Sequence, residues 1–171
     1  MWLELRYMLA ENLPSLQLVY VMGGLAPDSD QPMPVSMQDK LQATWRYIQE
    51  RIPGTRFNFD FWRLQQPRRS TYPACRAVTA AKMMNAARED DKILAIQEAY
   101  DLRARNPSDE DTLVACAESI GLEACRFTEI LRGEACTQAF AADRRLAASL
   151  GISGFPSLVL VRGQARFSIP V

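Results

Sequence analysis

The side chains that could act here as nucleophiles or redox groups are four cysteines, Cys75, Cys116, Cys125 and Cys136. No two lie closer than nine positions, so the chain spells neither a zinc ribbon nor a Cys-x-x-Cys redox pair. Histidine is absent, which removes Ser-His and Cys-His catalysis and histidine-ligated metals together. The expectation is reduced thiols on helices, no metal site and no catalytic residue of the chain's own. Cys75 has an electrostatic case for reactivity. It falls in the first turn of a helix opened by Pro73, off the stripe of Ala74, Ala77 and Val78, where free N–H groups and the helix dipole would favour a thiolate. The alternative is a small, partly buried residue at a helix start. Cys116 and Cys136 lie on apolar stripes and are expected to pack, while Cys125 is left unplaced. The acidic triplets at 89–91 and 109–111 fall at helix joints, where helix-start and solubility roles account for them.

A second stretch bears on thiol chemistry, Gly151-Ile152-Ser153-Gly154-Phe155-Pro156-Ser157-Leu158-Val159-Leu160-Val161. Pro156 cannot donate a ladder hydrogen bond and is predicted to open a strand over 157–161, with Gly154 freeing the backbone before it. A trans Phe155-Pro156 bond would simply end a loop; a cis bond would present a bare backbone edge to a thiol substrate or to glutathione. Following an alanine-rich helix and preceding Arg162-Gly163, this segment resembles the cis-proline segment of the DsbA-like branch of the thioredoxin superfamily. The resemblance implies an incomplete α/β thioredoxin-like fold with a large all-helical insertion. It also implies a cis Phe155-Pro156 bond and a substrate groove formed by Gly154, Phe155 and Pro156, walled by Tyr72 and Cys75 where the helical block begins. Partners would be protein or small-molecule thiols and disulfides. Glutathione would be a co-substrate, with no other cofactor.

With 171 residues, 48% hydrophobic and 23% charged, the chain can fill one ordinary core. Twenty basic and twenty acidic residues cancel, so no global field argues for nucleic acid or an anionic membrane. Arg68-Arg69 and Arg144-Arg145 are read as solvated faces. No run approaches the roughly 18 apolar residues of a membrane span. Glu4, Arg6 and Glu11 stand where a signal peptide would be uncharged, which points to the cytoplasm.

The elements that must position these residues can be read in order. Trp2, Leu5, Met8 and Leu9 share a helical face. Residues 16–22, Leu-Gln-Leu-Val-Tyr-Val-Met, predict a buried strand closed by Gly23-Gly24. Ser36 and Asp39 suggest a capping box before a helix with Met37, Leu41, Trp45, Ile48 and Ile52 on one stripe, ended by Pro53-Gly54. Phe57, Phe59 and Phe61 alternate with polar residues and predict a short extended segment. Pro73 at a first helical position opens a helical region reaching 150. Ala74, Ala77, Val78, Ala81 and Met84 line its first helix, and Ile93, Ile96 and Tyr100 the next. Ser108 and Asp111 suggest a second capping box before Leu113, Cys116, Ala117 and Ile120, and Gly121 and Gly133 mark turns. Strands over 157–161 and 164–169 joined at Arg162-Gly163 predict a hairpin.

The chain thus divides into 1–67, the N-terminal part of a thioredoxin-like domain, 68–150, an inserted helical block, and 151–171, the closing hairpin with the proline loop. The family's first strand, its Cys-x-x-Cys turn and its last helix would lie outside 1–171. That implies a truncated chain, prone to form a homodimer or domain-swapped assembly because two buried strands lack a neighbour. The functional reading is a DsbA-like thiol-disulfide oxidoreductase or isomerase domain that is not catalytic by itself. Two alternatives stand beside it: a glutathione-dependent isomerase or transferase, and a redox-inactive binding or scaffold domain.

Overall fold

The computed structural model describes Glu11 and residues 15–170. The helical face predicted at 2–9 lies outside them. The first long helix, α1 (Val35–Arg51), turns Trp45 into the protein and leaves most of its other side chains in solvent. Its predicted capping box does not form, because the helix begins one residue before Ser36. Pro34 takes the cap position and its carbonyl accepts from Met37 and Gln38 N–H.

The extended segment predicted around Phe57, Phe59 and Phe61 is instead a turn leading into one helical turn, α2 (Asp60–Leu64). Asn58 accepts from the Asp60 N–H at 3.0 Å and bends the chain there. The aromatic rings then gather round Trp45: Phe57 stacks at 4.7 Å, Phe59 meets it edge-on at 5.6 Å, and Phe61 is 2% exposed. Rings that alternate in sequence can all face one neighbour once the backbone turns, and no strand partner exists among the described residues to hold them extended.

Helix α3 (Tyr72–Met84) carries alanine at 77, 80 and 81, all fully buried. Side chains this small let other helices approach closely, and α3 packs against each of α4 (Glu89–Asp101), α5 (Glu110–Ser119), α6 (Ala124–Arg132) and α7 (Glu134–Ser149). Leu113, Ala117, Phe127 and Cys136 complete the centre of this core. Lys92 of α4 is buried within it. Its ammonium donates to the Leu113 carbonyl and lies 4.3 Å from the Phe127 ring centroid. Burial lowers its pKa to about 8.

The second predicted capping box is also absent. Asp109 is the cap of α5, while Ser108 donates its hydroxyl to the Ser70 carbonyl at 2.7 Å. Arg68, read as part of a solvated face, donates instead to the Ser108 carbonyl and pairs with Asp109. Two charges and a buried hydroxyl thereby tie the entrance of α3 to the entrance of α5.

Residues 16–22 form no strand. An apolar run becomes a strand only beside another strand, and none flanks it among the described residues. The sheet there consists of β1 (Leu158–Arg162) and β2 (Ala165–Ile169), antiparallel, with Leu158 opposite Ile169. The turn is Gly163-Gln164, one residue later than predicted. Gly163 supplies the positive φ of 59° that a two-residue hairpin turn requires. Among the described residues no helix is long and apolar enough to cross a membrane.

Candidate functional site

The Gly23-Gly24 pair, read from sequence only as the end of a strand, is where the predicted site residues meet. A β-carbon on Gly23 would lie 1.9 Å from two atoms of the Phe155 ring, so the ring rests directly on the glycine backbone. A β-carbon on Gly24 would lie 2.7 Å from Tyr72 and 2.8 Å from Phe140, and Gly24 also holds φ at +68°. No other residue type satisfies both positions without displacing an aromatic ring.

The loop around these glycines is clamped from two sides. Thr71, just before α3, accepts from the Ala26 N–H at 2.9 Å, and its own N–H donates to the Ala26 carbonyl at 3.1 Å. From α7, the Asp143 carboxylate accepts from the Met22 N–H at 3.0 Å. The same face of α7 supplies Phe140, whose ring meets Tyr72 edge-on at 5.0 Å, and Arg144, whose guanidinium lies 4.5 Å from the Tyr72 ring centroid. Arg144 was read as part of a solvated pair. The structure gives it an aromatic partner, and the arginine and phenylalanine hold Tyr72 from two directions.

Opposite, the Phe155-Pro156 bond is cis, as the family resemblance implies. The loop that carries it is exposed, with Phe155 43% exposed although its ring touches Gly23. Ser157 donates to the Gly154 carbonyl at 2.7 Å and closes the loop on itself. The predicted residues Phe155, Tyr72 and Cys75 are thus joined through the two glycines. Gly154 has open space around it. Phe140, Asp143 and Arg144 were missed as site residues. Their i, i+3, i+4 spacing on a helix is a readable signal that the three share one face.

Cys75 stands beside this loop, and its surroundings favour the partly buried residue over the reactive thiolate. Burial pushes the thiol up to about 11. A hydrogen bond from the Gly24 backbone and the charge of Arg76 oppose that shift, and the Asp143 charge adds to it. Desolvation exceeds the helix-terminus effect because the side chain lies under the glycine loop and not in solvent. Burial also raises Cys116 and Cys136, which donate to the Ala95 and Arg76 carbonyls. Cys125 is exposed, and the adjacent Glu123 carboxylate raises it. All four thiols are free and protonated at neutral pH. No cluster able to hold a metal ion exists among the described residues.

A family model described as thioredoxin matches residues 2–166. The chain belongs to the thioredoxin family. A protein from Nitrosomonas europaea described as a candidate protein disulfide isomerase superposes with a TM-score of 0.82 at 22% identity, covering 98% of this chain and 80% of that one. The cytosolic disulfide reductase DsbM from Pseudomonas aeruginosa superposes with a TM-score of 0.69 at 24% identity, covering 86% and 72%. A sequence relative, the ClpXP adapter protein SpxH from Halalkalibacterium halodurans, is 25% identical over 122 residues. That match takes in 71% of this chain but only 39% of the relative, so it spans well under half of that protein. The thioredoxin-like fold, mostly helical with a small two-stranded sheet, and the DsbA-like resemblance agree with these relatives.

Proposed function

We propose that this chain carries the substrate-binding groove of a DsbA-like thiol-disulfide oxidoreductase and supplies none of its attacking thiols. The observation that carries the reading is the exposed Phe155-Pro156 loop seated on Gly23 beside Tyr72 and Cys75. Such a seat leaves backbone edges and one aromatic face open to an extended peptide or to glutathione, while the nearest thiol stays protonated. In the reaction of this class, a thiolate attacks one sulfur of a substrate disulfide and expels the other as thiolate. A second thiol then attacks the mixed disulfide and releases reduced substrate. Here the groove orients the substrate disulfide, and the attacking pair belongs to sequence other than these four cysteines. The disulfide reductase DsbM, one of the structural neighbours, has also been solved with glutathione, which favours a glutathione-sized ligand. Its description as cytosolic accords with a cytoplasmic setting for this chain.

Titration of the isotope-labelled chain with oxidised glutathione tests the reading. Backbone resonances of Gly23, Gly24, Phe155 and Ser157 should shift saturably, and Phe155→Ala should remove the response. Shifts confined to other residues would reject it.

A second reading is a redox-inactive binding domain. It is favoured by four protonated thiols and by the relative described as an adapter protein. Binding of reduced peptides as tightly as their disulfides would favour it. Self-association through the exposed hairpin belongs to the same reading, and sedimentation of the chain at two concentrations distinguishes monomer from dimer.

A further inference from the structure

A cleft of about 500 Å³ lies among α3, α5, α6 and α7, and none of the groove residues lines it. Two bidentate ion pairs face it. Arg76 donates through Nη1 and Nη2 to the Asp28 carboxylate at 2.8 and 2.7 Å. Arg132 donates through Nε and Nη2 to the Glu110 carboxylate at 3.2 and 2.6 Å. Leu113 and Leu131 line the same space and give it an apolar floor.

We propose that this cleft binds a small zwitterion with an aliphatic body, either a free amino acid or a short peptide. Each guanidinium has five N–H donors and spends two on its partner, so N–H groups remain for a ligand carboxylate. Each carboxylate likewise keeps lone pairs that can accept from a ligand ammonium. Two positive and two negative groups balance, so a purely anionic ligand such as a phosphate gains at the arginines what it loses beside Asp28 and Glu110. A molecule carrying both charges meets a partner for each, and the leucines take its hydrocarbon. The arginines are already oriented by their carboxylates, so a ligand does not have to order them on arrival.

The test uses the full 171-residue chain with leucine and alanyl-leucine as probes, followed by calorimetry or by resonance shifts of residues in the cleft. Saturable binding of either probe supports the proposal, and which one binds tells an amino-acid site from a peptide site. Acetylating the amine or amidating the carboxyl of the bound probe should weaken it at least about tenfold, as loss of a charge-assisted hydrogen bond does. Arg132→Gln and Glu110→Gln should do the same. Both groups are well exposed, so the variants should fold. Tyr72→Ala should leave binding unchanged. Failure of both probes to bind, equal binding of the capped probes, indifference to the Arg132 and Glu110 changes, or loss of binding in Tyr72→Ala would overturn it.

Discussion

Between Ala77 and Cys136 the chain builds a core of fourteen buried residues, drawn from five helices and the α5–α6 joint at Leu122, whereas residues 151–170 contain none that is buried. Both regions face the candidate groove, yet one is held by hydrocarbon burial and the other by a few particular contacts. Those contacts are Phe155 on Gly23, Arg166 to the Ser149 carbonyl, and the hairpin's own ladder. Segments with little buried apolar surface open locally at small free-energy cost, while a shared core opens only with the whole domain. The difference places stability in the helical block and leaves the loops of the proposed groove the easier region to open.

Four changes separate the two regions, from the largest effect on stability to the smallest. Phe127→Ala removes a fully buried ring from the core and the face that receives the Lys92 ammonium. It should cost about 3–5 kcal/mol in denaturant unfolding. Gly24→Ala forces a side chain into a left-handed position against Tyr72 and Phe140, and should cost about 2 kcal/mol.

Lys92→Met should raise stability at pH 7 by about 1–2 kcal/mol, since it removes a buried charge that has no carboxylate partner among the described residues. It should also change the pH profile. The Lys92 pKa is about 8 folded against 10.5 for the free side chain. Between those values the unfolded chain binds the extra proton, so this group makes stability rise with pH there. Thiols raised by folding act in the opposite sense over the same range, because the unfolded chain loses their protons first. The readout is therefore the difference between the two proteins. The advantage of Lys92→Met should be constant below about pH 8 and shrink steadily between about pH 8 and 10.5. An advantage that does not change with pH would mean that Lys92 titrates in the core as it does in the unfolded chain, and one already falling well below pH 8 would mean that it is neutral there.

Gly23→Ala is the smallest in stability and the sharpest in function. Its β-carbon meets only the far end of the exposed Phe155 ring, which can swing into solvent. Unfolding should shift by less than about 1 kcal/mol, while glutathione-induced shifts at the loop should vanish. If stability fell as much as in Gly24→Ala, the loop would belong mechanically to the core.

The helical block was legible because its signals are local: stripes at 3.6-residue spacing and proline and glycine punctuation set the helices from 72 to 149 to within a few residues. The hairpin was likewise readable, apart from a one-residue displacement of its turn. What failed depended on partners distant in sequence. The apolar run at 16–22 has strand composition but no strand beside it among the described residues. The alternation at 57–61 yields to a shared aromatic neighbour, Trp45. Both predicted capping boxes lose their serines, Ser36 to the helix interior and Ser108 to Ser70. At the candidate site, the family resemblance named the Phe155-Pro156 loop, Tyr72 and Cys75, which the structure brings together around Gly23 and Gly24. Gly23 and Gly24 carry no side chain to signal a site, and it is that lack which makes room for the rings of Phe155, Tyr72 and Phe140. Asp143 reaches Met22 across 121 positions, which no local pattern encodes.

The most direct test of a groove without its own attacking thiol is to incubate the reduced chain with oxidised glutathione at pH 7 and map adducts by peptide mass spectrometry. Insulin reduction is followed in a parallel sample with reduced glutathione as the electron donor. The account predicts occupancy of the loop by resonance shift, no glutathione on Cys75, Cys116 or Cys136, and no turnover. Rapid formation of a Cys75–glutathione disulfide with release of reduced glutathione, accompanied by insulin reduction, would contradict it.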